Sequence, residues 1–361
     1  MKNIYIQIPD LLYPDSSLVL ATVTRSYGST PQKPGSSALF NKNGIIAGTV
    51  GGGIVEGKVQ RIAREAIISG RSGHFTFDLA NEISNTEEAI CGGKISVLVD
   101  ANLDNHISVF NQLKQSVLNR IPGALITMVT VFDAESVLIN RYWMTNDKVP
   151  EIQDEFLEKI TPVVKYLLST GDSSEFRELE LSVKDQEPVS IFFIEPVFPP
   201  DNLVIAGAGH IGKALSHLGS MLGFNIIVID DRQEFANSDN LPDANTIIVG
   251  DIGTAMNGLK KSADTYVVIV TRGHKDDASA LKPCFGSDLA YTGMIGSKKK
   301  VLTMRNHFIE NGWATSEQWD KIYAPVGLDI KSQTVEEIAV SIAAQLVLVR
   351  NSRKSGAGSP K

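Results

Sequence analysis

The chain contains 361 residues, of which 43% are hydrophobic and 21% are charged, and its formal net charge is −7. This composition is that of an ordinary globular protein, and the length exceeds the usual range of a single domain, so we expect two domains that each bury a core. The negative charge argues against a nucleic-acid-binding protein, which gains affinity from clustered lysine and arginine.

The cysteines and the apolar stretches bear on the cellular compartment. Cys91 and Cys284 are the two cysteines of the sequence, too few and too far apart for a disulfide framework or a zinc site, and they suit a reducing compartment. The start of the sequence lacks the basic and apolar regions of a signal peptide, and no apolar run is long enough to span a membrane. We therefore expect a cytoplasmic protein.

The first half of the sequence predicts a mixed α+β domain. Branched apolar runs predict strands, and Asn43-Gly44 predicts a hairpin turn between two of them. Apolar residues recur at helical spacing after Gly53 and stop at Gly70, so a helix is predicted there. The predicted strands are 17–24, 36–40, 45–50, 95–99, 124–131, 136–144 and 189–195, with a second helix near 151–168.

The second half predicts a Rossmann-like, doubly wound parallel sheet, because strands alternate with helices. The proline-rich residues 196–202 predict a linker, which separates an amino-terminal domain with its connecting region, 1–195, from a Rossmann-like domain, 203–350. The Gly/Ser-rich tail 351–361 is predicted to be disordered. The predicted strands are 203–206, 226–230, 246–249 and 266–270, and the predicted helices are 210–222, 253–261, 276–285, 298–311 and 334–350.

Gly207, Gly209 and Gly212 form a G-x-G-x-x-G pattern between a predicted strand and a helix that His210 opens. In dinucleotide-binding folds the first glycine permits a tight turn, the second lets a phosphate approach, and the third packs helix on strand. The glycines could also serve only to shape the turn, so the ligand is a separate question from the fold.

Asp230 ends the next predicted strand, at the offset expected of a carboxylate that binds ribose. Arg232 follows it and could instead meet a 2′-phosphate. NAD(P) binding is therefore one interpretation of this half of the chain, and a site that is lost or reused is the other.

Polar residues follow the predicted strand 266–270, at a sheet edge where open α/β folds bind ligands. Thr271, His274 and Asp277 lie there, and His274 with Asp277 could form an acid/base pair or part of a metal site. The alternative is a capping aspartate beside a surface histidine.

Ser297 and Lys298 begin a predicted helix that opens with three lysines, 298–300. Positive charge at a helix start opposes the helix dipole. A bound anion would explain the lysines, and a solvated basic cluster is the simpler alternative.

Gly51, Gly52 and Gly53 precede the first predicted helix. Free N–H groups and the positive end of the helix dipole meet there, so an oxyanion or a phosphate could approach closely. Glu56, in the first turn, either contributes to such a site or simply favours the helix start.

Cys91 precedes Gly92-Gly93 after a polar loop, which makes it a candidate accessible thiol. Reactivity would require a lowered thiol pKa. The alternative is a buried, inert cysteine.

Together these motifs resemble the XdhC/CoxI family of xanthine dehydrogenase accessory proteins. In the first half the resemblance rests on GSTPQKPG at 28–35, GTVGGGIVEGK at 48–58 and CGG at 91–93. In the second half it rests on AGAGHIGKAL at 206–215, DDR at 230–232, TRGHKDD at 271–277, YTGMIGSKKK at 291–300 and APVGLDI at 324–330. The sequence departs from the family pattern at Ala38, where methionine is frequent, and at Lys331 and Val335, where glycine and proline are expected.

The resemblance implies a protein that binds molybdenum cofactor (molybdopterin), assists its sulfuration by a cysteine desulfurase, and delivers it to a xanthine-dehydrogenase-like molybdenum hydroxylase. We accordingly expect a cofactor-binding chaperone of purine metabolism, forming a homo-oligomer, rather than a xanthine dehydrogenase in its own right, without nucleic-acid or membrane partners. The candidate catalytic residues are Cys91, His274 and Asp277. The candidate cofactor-binding residues are Gly51, Gly52, Gly53, Glu56, Gly207, Gly209, His210, Gly212, Asp230, Arg232, Thr271, Ser297 and Lys298.

Two other functions stay open at this point. An NAD(P)-dependent oxidoreductase would explain the glycine pattern at 207–212 but leaves the first-half motifs without a role. A regulatory nucleotide-binding module explains still less.

Overall fold

The computed structural model describes residues 4–12, 17–79, 93–133, 136–172, 175–181 and 190–354. The chain divides into two compact units, Lys2–Pro199 and Pro200–Lys361. None of the described helices is both long enough and apolar enough to cross a membrane.

The first unit combines four helices with nine strands among the described residues. A short 3₁₀ helix, Leu103–His106, precedes the third helix. The helices are α1 Ile4–Leu11, α2 Ile54–Ser69, α3 Ile107–Leu118 and α4 Asp154–Thr170. The strands are β1 Val19–Tyr27, β2 Ser37–Asn41, β3 Gly44–Gly48, β4 Gly73–Asp78, β5 Lys94–Asp100, β6 Gly123–Asp133, β7 Ser136–Thr145, β8 Arg177–Leu181 and β9 Ser190–Val197.

These strands form two antiparallel sheets, ordered β3-β2-β1-β5-β4 and β7-β6-β9-β8. Strand alternation decides which face each side chain joins. On β5, Ile95, Val97 and Val99 pack in a core with α2, whereas Leu98 packs with Phe193 of the second sheet. The first sheet is therefore covered on both faces.

The predicted hairpin and helix are confirmed. β2 and β3 pair on either side of Lys42-Asn43, and α2 ends at Gly70 in a left-handed conformation. The structure adds elements that the sequence analysis missed, namely α1, β4, α3 and β8.

The second unit is the predicted Rossmann-like domain. Its five strands are all parallel and ordered β12-β11-β10-β13-β14. Strand β14 and helix α9 were not predicted. The elements are β10 Asn202–Ala206, α5 His210–Met221, β11 Asn225–Asp230, β12 Thr246–Val249, α6 Ile252–Gly258, β13 Thr265–Ile269, α7 His274–Leu281, β14 Tyr291–Met294, α8 Lys298–Glu310, α9 Ser316–Trp319 and α10 Val335–Lys354.

A separate core covers each face of this sheet. Leu203 and Ile205 of β10 pack with residues of α5 and α10, and Val204 and Ala206 pack with residues of α6, α7 and α8. Because both faces are buried, the strands read as continuous apolar runs.

Two boundaries differ from those predicted. β9 runs to Val197 and β10 begins at Asn202, so only 198–201 of the predicted linker lies outside strands. Pro196 is tolerated because β8 pairs with β9 only as far as Ile194, which leaves an edge beside the proline. The last helix continues through Lys354, four residues into the predicted tail, and 355–361 lies outside the described residues.

Candidate functional site

The glycine turn of the second unit has the geometry that its spacing predicts. Gly207 has φ of 116°, and a Cβ there would lie 2.5 Å from the Val270 carbonyl oxygen. A Cβ at Gly212 would collide with the Gly207 carbonyl. Gly209, which precedes α5, has no described neighbour within 4 Å of its Cβ position. The first and third glycines are therefore required by packing, and the second leaves the helix start open.

Asp230 is 2% exposed and is used inside the fold. Its Oδ2 accepts from the Ala208 N–H at 2.7 Å, and its two oxygens accept from the backbone N–H, Nε and Nη2 of Arg232 at 3.0, 2.8 and 2.9 Å. Burial alone would raise the pKa of Asp230, but these hydrogen bonds lower it overall. Four bonds fill the acceptor capacity of a carboxylate, so no lone pair is left for a ribose hydroxyl.

The guanidinium of Arg232 is fixed as well. It lies 4.0 Å from the centre of the Phe235 ring, and its side chain is 17% exposed. Both contacts hold Arg232 in place, so its guanidinium is engaged within the protein rather than free for a 2′-phosphate.

The carboxyl ends of β10 and β13 meet at the point where the strand order reverses. The Gly207 turn packs against the backbone of Val270 and Thr271 there. Exposed residues His210 and His274 open α5 and α7 at the same edge. The predicted residues of this half are therefore gathered at one sheet edge.

Asp277 is fully buried and is not paired with His274 as the sequence suggested. Its Oδ1 accepts from the Thr271 hydroxyl at 2.6 Å. Its Oδ2 has no hydrogen bond and is balanced by an ion pair with Lys300. His274 is exposed one turn before Asp277, whereas the carboxylate of Asp277 meets Thr271, which follows β13, and Lys300 of α8.

The lysines at the start of α8 have different environments. Ser297 caps the helix by accepting from the Lys300 N–H at 3.2 Å. Lys298 and Lys299 are exposed, whereas the side chain of Lys300 is 27% exposed and turns towards Asp277. One of the three charges that suggested an anion site is thus neutralised within the protein.

In the first unit the structure brings the sequence motifs together. We call residues 28–35 the glycine–proline loop and residues 48–53 the triple-glycine turn. A Cβ at Gly51 would lie 2.7 Å from Pro31, and a Cβ at Gly93 would lie 2.7 Å from the Ser29 carbonyl oxygen. The glycine–proline loop therefore touches both the triple-glycine turn and the last residue of the CGG motif.

The start of α2 is open at the triple-glycine turn. Gly52 and Gly53 are exposed, and none of the residues that the structure describes has an atom within 4 Å of either Cβ position. Gly53 caps the helix without a side-chain hydrogen bond. Glu56 accepts from Thr49 Oγ1 at 2.9 Å, and Thr49 Oγ1 accepts from the Gly51 N–H at 3.1 Å. Glu56 is thus engaged within the turn, and Gly52 and Gly53 contribute no side chain at the helix start.

Strand β8 supports the glycine–proline loop from its other side. A Cβ at Gly35 would lie 3.2 Å from Phe176, whose ring stacks on Phe193 with centroids 5.9 Å apart. Arg25, on β1, pairs with Glu178 of β8. The hydrogen bonds from this pair raise the Arg25 pKa above its usual range.

Cys91, Gly92 and the rest of 80–92 lie outside the described residues. The accessibility of Cys91 stays a prediction. Cys284 is buried, and burial raises the pKa of its thiol to about 12, which makes it a poor nucleophile. Within the described ranges, no group of three or more His, Cys, Asp or Glu side chains could hold a metal ion.

Sequence analysis missed a partly buried polar cluster next to the glycine–proline loop. Glu195, Tyr5 and Ser37 form it, and their hydrogen bonds join segments up to 190 residues apart. Burial raises the pKa of Glu195 to about 7, against smaller lowering effects of the Tyr5 hydrogen bond and the Arg141 charge. Glu195 adjoins the proline-rich segment predicted as a linker, so no local signal marked it as buried.

Comparisons with known proteins agree with this arrangement in both units. Residues 14–78 match the XdhC and CoxI family, and residues 203–346 match the XdhC Rossmann domain. A probable xanthine dehydrogenase subunit of Bacillus subtilis is 26% identical over 361 residues, covering 97% of this chain and 98% of that protein. The uncharacterized protein YqeB of Escherichia coli is 32% identical over 155 residues, 43% of this chain but only 28% of that relative's length.

A solved structure shows the same fold. The crystal structure of a xanthine dehydrogenase from Bacillus halodurans matches with a TM-score of 0.74 and 24% identity, over 100% of this chain and 98% of that one. Family matches in both units, together with a relative aligned over nearly its whole length, show that the chain belongs to the XdhC/CoxI family.

Proposed function

We propose that this protein is an accessory factor of a xanthine-dehydrogenase-like molybdenum hydroxylase, and that it binds molybdenum cofactor and assists its sulfuration and insertion. The observation that carries the proposal is the open start of α2, where the triple-glycine turn meets the glycine–proline loop and Gly93. The relative from Bacillus subtilis, which aligns over its whole length, is named as part of a probable xanthine dehydrogenase. That name supports a role beside such an enzyme.

The residues of this site suit an anionic pterin. Molybdopterin carries a phosphate, and the uncapped N–H groups of a helix start bind phosphate well. Gly52 and Gly53 leave room for it among the described parts of the chain, where no atom lies within 4 Å of either Cβ position. Glu56 is engaged with Thr49, so it does not place a free negative charge against the ligand. When bound, the cofactor supplies the dithiolene sulfurs that hold molybdenum, and the protein supplies binding and shelter from water.

Cys91 is our candidate for sulfur handling with a cysteine desulfurase. It is joined to Gly93 by two peptide bonds, and Gly93 packs on the glycine–proline loop. A cysteine near the cofactor site could carry a persulfide from the desulfurase. Cys91→Ala should then reduce activation of the partner enzyme while leaving cofactor retention by this protein largely intact.

The second unit offers less support for a nicotinamide-dependent oxidoreductase. The carboxylate at the ribose position, Asp230, already accepts four hydrogen bonds from Ala208 and Arg232. A nucleotide-binding module keeps one observation in its favour, the open Gly209 at the start of α5. Mass spectrometry of the ligand that copurifies with the native protein separates these functions, because a pterin, a dinucleotide and a mononucleotide differ in mass.

The decisive experiment reconstitutes an apo-dehydrogenase with molybdenum cofactor in the presence and absence of this protein. Gly52→Val places a branched side chain in the open space at the start of α2 and should abolish the stimulation without unfolding the protein. Gly57→Val is the matched control, since Gly57 is also exposed on α2 with nothing within 4 Å. Equal stimulation by both variants would contradict the site, and reconstitution indifferent to the protein would contradict the function.

The isolated chain should not oxidise purine. Two cysteines in the whole sequence cannot ligate a four-cysteine iron–sulfur cluster. Purine oxidation by the purified chain alone would overturn the accessory role.

A further inference from the structure

A partly buried chain of hydroxyl groups links a carboxyl group in the first unit to the glycine–proline loop. The Tyr5 hydroxyl on α1 donates to Oε2 of Glu195 on β9 at 2.8 Å, and its oxygen lies 3.1 Å from Ser37 Oγ. Ser37 Oγ lies 2.9 Å from Thr22 Oγ1 and 3.4 Å from the Gly35 carbonyl oxygen. Either partner of the Tyr5–Ser37 and Thr22–Ser37 contacts can be the donor. The chain can therefore reverse its direction without moving a heavy atom.

Ser37 lies at the junction of the two loops. Its hydroxyl reaches Gly35, the last residue of the glycine–proline loop, and its backbone oxygen accepts from the Thr49 N–H at 3.0 Å in the triple-glycine turn. A Cβ at Gly48 would collide with that same oxygen. Ser37 therefore contacts both loops, the first through its hydroxyl group and the second through its backbone oxygen.

The groups that act on Glu195 come from two elements. Tyr5 reaches it from α1, and Arg141 acts on it from β7. Arg141 is itself buried and held by Asp100 of β5 at 3.0 Å, and burial together with the Arg141 charge lowers the pKa of the neighbouring His106. Burial raises the pKa of Glu195 to about 7, so its charge changes within the physiological range.

We propose that Glu195 is a positioning residue whose protonation, relayed through Tyr5 and Ser37, sets the hydrogen bonding of the glycine–proline loop and the triple-glycine turn. When Glu195 is ionised it accepts from Tyr5, and the Tyr5 oxygen accepts from Ser37. When Glu195 gains a proton it donates to Tyr5, Tyr5 donates to Ser37, and the Ser37 hydroxyl is released to donate to the Gly35 carbonyl. One proton is added at the Glu195 carboxyl group, and the Tyr5 and Ser37 hydroxyl groups each keep their own proton and only change the acceptor to which they donate it.

The inference rests on the proposed function only in regarding these loops as the cofactor site. The coupling itself can be measured on the full-length protein without cofactor. A failed reconstitution and a failed coupling are therefore separate results.

The test is hydrogen–deuterium exchange of the full chain at pH 6 and pH 8, corrected for the intrinsic pH dependence of exchange and read by mass spectrometry on peptides of both loops. A carboxyl with a pKa near 7 is about 10% ionised at pH 6 and about 90% at pH 8. We expect the loops to exchange more slowly at pH 6, by at most about ninefold. The glycine turn at 207–212 in the second unit is the internal control and should not respond.

Two variants separate the relay from a folding defect. Glu195→Gln offers a permanent donor to Tyr5, so its loops should show the pH 6 behaviour at both pH values. Tyr5→Phe removes one oxygen, keeps the carboxyl group and should abolish the response of the loops. An unchanged exchange rate in the wild-type protein, or a response that survives Tyr5→Phe, would overturn the proposal even if Glu195→Gln fails to fold.

Discussion

The ion pair between Lys300 and Asp277 predicts an unequal effect of two neighbouring substitutions. Lys298 and Lys300 lie in the same first turn of α8, so removing either one relieves the same unfavourable interaction with the helix dipole, worth about 0.3–1 kcal/mol. Only Lys300 balances the fully buried Asp277. Lys300→Ala would leave Asp277 Oδ2 with neither a hydrogen bond nor a counter-charge.

The expected magnitude follows from the burial of the two groups. Removing one partner of a fully buried pair costs about 3–5 kcal/mol. Because the Lys300 side chain is 27% exposed, solvent screens part of the interaction, and we expect a loss of roughly 2–4 kcal/mol of unfolding free energy. Lys298→Ala should change the unfolding free energy by less than about 0.5 kcal/mol or raise it slightly.

Urea unfolding followed by tryptophan fluorescence measures the difference, since Trp313 and Trp319 both lie in the second unit. With a slope of about 2 kcal/mol per molar urea, Lys300→Ala should move the midpoint down by about 1–2 M. Asp277→Asn combined with Lys300→Ala removes the unpaired charge and should recover part of the loss. Equal midpoints for Lys298→Ala and Lys300→Ala would refute the structural role of the ion pair. Anion binding would then be the better explanation of the three lysines at the start of α8.

Three further expectations concern single positions. Gly212→Ala should destabilise the second unit by several kcal/mol, because the added Cβ meets the Gly207 carbonyl. Gly209→Ala should unfold at the wild-type temperature. Equal melting temperatures for the two variants would contradict the tight packing at Gly212. Lys331 has φ of 62°, a conformation that favours glycine, and Val335 is the first residue of α10, a position that favours proline. Lys331→Gly and Val335→Pro should therefore each raise the unfolding free energy by up to about 1 kcal/mol. A loss of stability for either variant in chemical denaturation would count against this geometry. Burial raises the pKa of Glu195 to about 7, above its unfolded value of about 4.3, so its contribution to stability is full below about pH 4.3 and is lost as pH rises through 7. Thermal melts should therefore show a decline in stability between pH 5 and 8, and Glu195→Gln should flatten this decline. Equal slopes for the two proteins would disprove the assignment.

The architecture could be predicted wherever a local pattern was enough. Alternating strands and helices with Gly207, Gly209 and Gly212 indicated the Rossmann-like unit, because the spacing of the glycines marks a tight turn from a strand into a helix. Asn43-Gly44 likewise marked the hairpin between β2 and β3. Short or polar elements such as β8 and β14 were missed, because they are stabilised by neighbours distant in sequence.

Residue types at short spacing were enough to identify the motifs, the family they resemble and the strand-to-helix turns that present them. The partners of the charged groups, in contrast, became known only from the folded chain. Folding pairs Asp230 with Arg232 and Ala208 rather than leaving it for a ribose, turns Lys300 towards Asp277, and brings Glu195 of β9 against Tyr5 of α1. A buried charge takes the nearest compensating group in space, and periodicity along a chain carries no information about which distant segment supplies that group.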